Sequence, residues 1–175
     1  MNASFRRLGA LFAVVFGGTA TPLTAETVNL RPLQTWPEKA PLDVDAYRGS
    51  IVVLDFFAYW CVPCRQVTPA LETDLAAYYA AKGGNPAGVA VHVMPINIES
   101  AQPKRTDRFI RATGAQHVHY DPEAVLFTQI GQNTGLPFLA VVDWRGAEPV
   151  IVYRHAGYEG AEALRAVIDQ IGGGA

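Results

Sequence analysis

The chain of 175 residues has only two cysteines, and both lie in one short segment, at Cys61 and Cys64. A structural zinc site takes about four ligands, so the absence of a second cysteine pair argues against such a site. A small domain stabilised by several disulfides is also excluded, because its cysteines would be spread along the chain. Two intervening residues close too short a loop to add much chain-entropy stabilisation. The cysteine pair is therefore better explained by a catalytic role than by a stabilising one.

Basic residues are not in excess, with 14 lysines and arginines against 16 acidic residues. Arg6 and Arg7 precede an apolar stretch that ends in small residues, which predicts a secretory signal peptide over residues 1–25. Cleavage after Ala25 would leave 12 basic and 16 acidic residues, a net charge of −4. This mildly acidic balance argues against nucleic acid as a partner.

Apolar runs of membrane-spanning length are also lacking. The stretch from residue 8 to 20 is shorter than the roughly 20 residues that cross a bilayer, so a cleaved leader is favoured over a retained membrane anchor. The sequence therefore predicts a periplasmic or otherwise exported protein, soluble after signal cleavage, in an oxidising compartment.

The remaining chain is long enough for one good core, since half of all residues are hydrophobic. Residues 26–46 are rich in proline and have a weak apolar pattern, which predicts an N-terminal extension packing on the domain. Residues 47–175 are expected to form that single domain.

The central element is Ile51–Phe57, a continuous β-branched and aromatic run typical of a strand buried on both faces of a largely parallel sheet. A helical pattern follows the cysteines and contains Pro69, which should kink the helix. The later pattern predicts a strand at 89–98, a helix at 103–113, a strand at 117–120, a helix opened by Asp121 and Pro122, a hairpin at 138–143 and 149–155, and a last helix ending at Gly172. The predicted order is β-α-β-α-β-α-β-β-α.

This order, with Trp60-Cys61-Val62-Pro63-Cys64 after the central strand and Gly135-Leu136-Pro137 before the hairpin, resembles the thioredoxin fold. More closely, it resembles the secreted bacterial thioredoxin-like thiol-disulfide oxidoreductases of the TlpA and ResA type, over about residues 42–171. The resemblance implies an α/β fold, a three-layer sandwich with a mixed central sheet, an inserted β-α element and the N-terminal extension.

The resemblance also implies roles for individual residues. Leu136–Pro137 would be a cis peptide beside the cysteine pair, with the backbone of Leu136 available to an extended substrate segment. Asp55 occupies the position of the buried acid that accepts a proton from the second cysteine, and burial should raise its pKa. The alternative is a partly exposed aspartate bonded to a backbone N–H. Trp60 is expected to form a substrate groove wall, or to pack in the core.

Two departures from related proteins concern proton handling. Thioredoxins pair the buried acid with a lysine on the next strand, where this chain has Pro95. The ResA-type reductases carry a glutamate three residues after the second cysteine, where this chain has Val67. Asp55 is therefore expected to act alone.

The expected mechanism is dithiol-disulfide exchange. Cys61, nearer the helix end and solvent, should be the attacking thiolate, and Cys64 should resolve the mixed disulfide. Val62-Pro63 lacks the histidine that strongly oxidising relatives place between their cysteines, which favours a reductase. The expected substrates are disulfides of periplasmic proteins, with re-reduction by a membrane thiol donor and no cofactor other than the redox-active disulfide.

A copper-binding or metallochaperone-like protein that uses the cysteine pair is one alternative. Thiols and imidazoles bind copper well, and His117 and His119 would share a face of the predicted strand. A polar edge of a short strand is the preferred interpretation of these histidines, and no metal site is predicted.

A non-catalytic thioredoxin-fold binding module is the other alternative. Lys104, Arg108 and Arg111 align on one helix face with Arg105 adjacent, which would suit an acidic partner. A solvated helix face is the preferred interpretation of this pattern. The presence of the cysteines, the aspartate and the proline at the site favours an active enzyme.

Overall fold

The computed structural model describes residues 26–131 and 134–173, so the predicted signal peptide lies outside the described residues. The strands are β1 (Glu26–Thr27), β2 (Gln34–Thr35), β3 (Ile51–Phe57), β4 (Val91–Asn97), β5 (His119–Tyr120), β6 (Phe138–Asp143) and β7 (Val150–Ala156). The α-helices are α1 (Cys64–Leu71), α2 (Tyr78–Lys82), α3 (Pro103–Thr113), α4 (Val125–Gly131) and α5 (Ala161–Ile168).

One mixed sheet has the strand order β1-β7-β6-β3-β4-β5-β2. Every residue of β3 is buried, and this strand pairs in parallel with β4 and antiparallel with β6. Only a strand covered on both faces of the sheet can bury all of its side chains. The prediction that this apolar run forms a strand buried on both faces is therefore confirmed.

Helices cover both faces of the sheet, which gives three layers. Alternate side chains of β3 enter different cores: Val52 and Leu54 meet α4 through Leu126, whereas Ile51 and Val53 meet the faces of α1 and α5. The predicted thioredoxin-like α/β sandwich is confirmed. Asp55 lies on the same face of β3 as Ile51 and Val53, because side chains alternate along a strand. The helix that follows the cysteines, α1, therefore lies over Asp55.

The N-terminal extension supplies both edge strands of the sheet. β1 pairs antiparallel with β7 at one edge, and β2 pairs antiparallel with β5 at the other. Between them, Leu30 and Leu33 are buried in the core. The indole N–H of Trp36 then donates to Asp107 on α3 at 2.9 Å. The extension thus contributes strands to the sheet and also packs against the domain.

The helical region after the cysteines is interrupted one turn beyond Pro69. α1 ends at Leu71, a π-helical segment spans Glu72–Ala77, and α2 follows directly. Proline has no N–H to continue the helical ladder, and the hydroxyl of Thr73 donates to the Pro69 carbonyl at 2.6 Å. The predicted kink therefore takes the form of a local widening of the helix.

Several boundaries differ from the prediction: α5 ends at Ile168 and not at Gly172, and β4 spans Val91–Asn97 and not 89–98. The strand expected at 117–120 contains only His119 and Tyr120, because His117 has a positive φ of 48° that no strand tolerates. The helix expected to open at Pro122 starts at Val125 after a 3-10 turn, in which Glu123 has a φ of 55°. Asp121 nevertheless caps that helix through hydrogen bonds from the N–H groups of Leu126 and Phe127.

No helix within residues 26–131 and 134–173 combines the length and apolar character needed to cross a membrane.

Candidate functional site

The cysteine pair lies where β3 gives way to α1. Cys61 and Cys64 form a disulfide, with their Cα atoms 5.4 Å apart. α1 begins at Cys64, whose backbone N–H points to the Cys61 sulfur at 3.2 Å. Once the disulfide is reduced, this N–H and the positive end of the helix dipole favour the thiolate form of Cys61.

The surface above the disulfide is apolar and open. Trp60 is 54% exposed and Val62 is 73% exposed, whereas Cys61 and Cys64 are 3% and 0% exposed. The core-packing alternative for Trp60 is therefore wrong, and its indole is free to contact a partner. Cys61 is the more exposed of the two cysteines by a small margin.

Asp55 is completely buried beneath α1. The hydroxyl of Thr68 donates to one carboxyl oxygen at 2.8 Å, and the other oxygen has no hydrogen-bond partner among the described residues. Burial raises the pKa of Asp55 to about 7; the Thr68 hydrogen bond lowers it and the charge of Glu72 raises it further. The predicted upward shift is confirmed, and the alternative of a partly exposed aspartate bonded to a backbone N–H is wrong.

The two positions at which related proteins carry a lysine or a glutamate, here Pro95 and Val67, provide no ionisable group near Asp55. Pro95 lies directly opposite Asp55 in the β3–β4 register, and Val67 is buried in the core beneath α1. Neither residue can exchange a proton. Thr68 supplies a hydrogen bond to the carboxyl and the nearby charge of Glu72 has the same sign as the carboxylate, so the carboxyl has no cationic partner among the described residues.

Thr68 is a site residue that sequence reasoning missed. It lies four residues after Cys64, so both side chains project from the same buried face of α1. The available signal for this role was a threonine on the otherwise apolar face of a helix that follows a strand containing an aspartate. Its significance required knowing which turn of the helix crosses Asp55.

The loop before β6 closes another side of the site. The Leu136–Pro137 peptide is cis, as predicted, and the Pro137 carbonyl accepts a hydrogen bond from the Gly157 N–H at 2.7 Å. Leu136 is half-buried and packs against the hydrophobic cluster that contains both cysteines. The fold therefore gathers residues from β3, α1 and this distant loop into one place.

The two histidines considered for copper do not form a pair. His119 is buried, which lowers its pKa to about 4, whereas His117 is exposed and outside the strand. The expectation that they would share a strand face is wrong, because the positive φ of His117 breaks the alternation. Within the described ranges, no group of three or more histidine, cysteine or acidic side chains could hold a metal ion.

A disulfide at the start of the helix that follows the central strand, with a cis-proline loop against the same cluster, defines the class of thioredoxin-like thiol-disulfide oxidoreductases. The Redoxin family model matches residues 24–170, and the chain belongs to this family.

Solved structures share the fold. A Chlorobium tepidum protein assigned as a thiol:disulfide interchange protein, DsbE, is 27% identical with a TM-score of 0.63, covering 83% of this chain and 96% of its own. StoA from Bacillus subtilis is 20% identical with a TM-score of 0.56, over 77% and 93% of the two chains. A secreted disulfide oxidoreductase of Mycobacterium tuberculosis is 20% identical with a TM-score of 0.55, over 77% and 91%.

Sequence relatives match over shorter segments. An H-type thioredoxin of Fagopyrum esculentum is 40% identical over 45 residues, which is 26% of this chain and 37% of the relative. A thioredoxin of Chlamydia trachomatis is 50% identical over 28 residues, which is 16% of this chain and 28% of the relative. The chain thus spans about a third of the length of these curated relatives.

Proposed function

We propose that the protein is a thiol-disulfide oxidoreductase that reduces disulfides of exported proteins through Cys61 and Cys64. The observation that carries this proposal is a cysteine pair at a helix N-terminus above a fully buried carboxyl whose pKa is raised to about 7. A carboxyl with that pKa exchanges protons at neutral pH, which is what the second step of exchange requires.

In the first step, the Cys61 thiolate attacks one sulfur of a substrate disulfide. A new sulfur–sulfur bond forms to Cys61, and the substrate's own disulfide breaks, its other sulfur leaving with the electron pair as a thiolate. Trp60 and Val62 form the open surface that meets the substrate, and the Leu136 backbone offers hydrogen bonds to an extended segment.

In the second step, the Cys64 thiol gives its proton to the Asp55 carboxylate and attacks Cys61. The mixed disulfide breaks, the substrate leaves as a second thiolate, and the Cys61–Cys64 disulfide is restored. Two electrons have passed from the protein to the substrate, and Asp55 returns the proton to solvent or product. Thr68 orients the carboxyl for this transfer.

The direction and compartment of the reaction form part of the same proposal. The absence of a histidine between the cysteines supports a reducing pair, because the thiolate receives less stabilisation. The likeness to a secreted Mycobacterium tuberculosis disulfide oxidoreductase supports an exported enzyme. Continued reduction then needs an electron source outside the cell's cytosol, and we assign that role to a membrane thiol donor.

Insulin reduction with dithiothreitol as donor tests the activity. The protein from Glu26 onward should accelerate precipitation of the insulin B chain, and Cys61→Ser and Cys64→Ser should each abolish the acceleration. Ser50→Ala, at the residue directly before β3 and outside the site, serves as the control substitution. Equal rates for wild type and both cysteine variants would leave a non-catalytic binding module as the better description.

The Cys64→Ala variant tests the substrate assignment. It keeps the attacking sulfur and lacks the resolving one, so mixed disulfides with natural substrates should accumulate. Capture from a periplasmic extract, followed by release with dithiothreitol, should yield exported proteins. A redox potential near that of DsbA, about −120 mV, would contradict the reducing direction.

A further inference from the structure

A groove opens beside the disulfide, between the cysteine loop and α3. Its volume is about 490 Å³, and its walls include Tyr59, Trp60, Arg65, Arg105, Arg108 and Phe109. A space of this size falls within the range of about 300 to 1,000 Å³ in which proteins hold ligands. The groove is contiguous with the reactive pair, since Trp60 directly precedes Cys61.

Three guanidinium groups converge on this groove from two elements. Arg65 comes from the first turn of α1, and Arg105 and Arg108 come from one face of α3. No acidic side chain is among the lining residues. The positive charge is therefore concentrated at the groove, on a chain whose formal net charge is −2.

The three groove arginines, like Arg111 and Arg165, have no carboxylate partner among the described residues. Across the described residues, Arg31, Arg48, Arg145 and Arg154 each form an ion pair with a carboxylate. The groove arginines form none within the same part of the chain. Arg105 instead lies over the ring of Tyr59 at 5.6 Å from its centroid, which holds the guanidinium at the groove wall.

The basic pattern along α3 therefore divides into two faces. Asp107, between the groove arginines, turns away to accept the Trp36 indole N–H, and Arg111 lies with Trp36 on the opposite side of the helix. Two arginines of α3 thus line the groove beside the reactive disulfide, whereas its acidic residue and its third arginine lie on the Trp36 side. The preferred sequence interpretation of a solvated face is thus revised for Arg105 and Arg108.

We propose that this groove binds an acidic segment of the partner protein, next to the partner's redox cysteine. Carboxylates of the segment pair with the three guanidiniums, and apolar atoms beside them contact the exposed indole of Trp60. The inference rests on the proposed function and adds the substrate class: disulfides flanked by acidic residues. Electrostatic attraction of this kind raises the rate of encounter more than the strength of the final complex.

The test uses two peptides that differ only in charge. Each contains one cysteine in a mixed disulfide with 2-nitro-5-thiobenzoate, flanked by three glutamates in one peptide and three glutamines in the other. The reduced protein attacks through Cys61, Cys64 closes the disulfide, and the peptide thiol and the yellow chromophoric thiolate are released. Two electrons leave the protein for each mixed disulfide, and stopped-flow absorbance gives the second-order rate constant.

The measured quantity is the ratio of the acidic to the neutral rate constant. Wild type should favour the acidic peptide by about tenfold at low salt, in the range of electrostatic steering. The preference should shrink at 0.5 M salt, because screening shortens the reach of the charges. Any change in Cys61 reactivity cancels in this ratio, since both peptides meet the same thiolate.

Charge-matched variants locate the effect. Arg65→Gln/Arg105→Gln/Arg108→Gln should bring the ratio close to one, and Arg108→Gln alone should lower it part of the way. Lys104→Gln and Arg111→Gln remove one charge each from α3 outside the groove lining, so they should retain the wild-type ratio. Thermal unfolding confirms that each variant is folded before its ratio is compared.

The possible failures are distinguishable. Equal rates on both peptides in wild type, with turnover intact, would overturn the acidic-segment inference and leave the proposed function standing. No release of chromophore from either peptide would overturn the proposed function itself. A charge preference for oxidised glutathione over a neutral small disulfide, with none between the peptides, would assign the groove to a small acidic thiol and overturn the protein-segment inference.

Discussion

Asp55 is an ionisable side chain in a fully buried strand, so its charge state affects stability as well as chemistry. Its pKa is 3.8 when unperturbed and about 7 in the folded protein. Between these values the unfolded chain releases a proton that the folded chain keeps. The free energy of unfolding contributed by this group is fully present below pH 3.8 and is lost as pH rises through about 7.

Asp55→Asn should therefore stabilise the oxidised protein increasingly as pH rises. The gain should grow between about pH 4 and pH 7, reach up to about 4 kcal/mol and then level off, since each pKa unit corresponds to about 1.4 kcal/mol. Urea unfolding at pH 4, 6 and 8 measures it. Asp43→Asn, at an exposed position, serves as the charge control. A gain that does not depend on pH would contradict the raised pKa.

Thr68 is expected to tune that carboxyl. Its hydroxyl stabilises the carboxylate, so Thr68→Val, which keeps the shape and removes the donor, should raise the pKa of Asp55 further. The carboxyl ¹³C shift of Asp55, followed by NMR against pH, measures the titration midpoint. Thr68→Ser should keep the midpoint near the wild-type value. An unchanged midpoint in Thr68→Val would show that the hydroxyl has no such effect.

At this scale the sequence was informative where a motif carried a resemblance. The Cys61 and Cys64 motif resembles that of the thioredoxins, and this resemblance implied that Asp55, six residues before Cys61, is a buried acid with a raised pKa. Thr68 was not predictable, because its role depends on the crossing of α1 over β3. The pairing between Trp36 and Asp107 joins residues 71 positions apart, which no local pattern reveals.

Among the helices, α4 depends on a cap that is offset from its first residue. The Asp121 carboxylate accepts hydrogen bonds from the N–H groups of Leu126 and Phe127 at 3.0 and 2.8 Å. Asp121 is itself fully buried. Its two bonds therefore satisfy N–H groups that the first turn of a helix leaves without partners.

Asp121→Ala should lower the free energy of unfolding by about 2 kcal/mol, because it leaves two N–H groups at the start of α4 without their acceptor. Asp121→Asn retains one carbonyl acceptor and should lose less. Urea unfolding at pH 7 measures both. Glu123→Ala removes a neighbouring acidic side chain for comparison. Equal losses in Asp121→Ala and Glu123→Ala would indicate a general charge effect instead of capping.

Two elements have the boundaries that the sequence predicted. The eleven-residue α3 and the buried strand β3 lie where they were predicted. The two-residue strands β1 and β2 were not predicted, because two residues carry no alternation and pairing partners lie far along the chain. The π-helical widening after Pro69 was missed for a similar reason, since it requires i to i+5 bonding that composition does not signal.

At the scale of the whole molecule, the N-terminal extension adds a short strand to each edge of the sheet and contributes buried side chains to one core. Leu33 is 0% exposed between the two edge strands, and it packs with residues of β3 and α4. β1 covers Val150 and Ile151 of β7, and β2 covers both residues of β5, so the edge available for association with another sheet is shortened.

Leu33→Ala should destabilise the protein by about 2 to 5 kcal/mol, the range for removing a buried leucine side chain. A segment lying loosely on a finished domain would show almost no effect. Thermal and urea unfolding measure the loss. Arg154→Gln, which breaks only the exposed ion pair with Glu26, should change stability by less than about 1 kcal/mol. A loss of stability in Leu33→Ala as small as that in Arg154→Gln would mean that the extension is dispensable for folding.

The three tryptophans differ sharply in their surroundings. Trp144 is 3% exposed in the core, and Trp36 is fixed by its hydrogen bond to Asp107. Trp60, half-exposed, adjoins the disulfide in sequence. Trp36 also packs against the cluster that contains both cysteines, whereas Trp144 belongs to the core on the other face of the sheet. Opening the disulfide should therefore change the emission of Trp60 and Trp36, and intrinsic fluorescence should report the oxidation state against the background of Trp144.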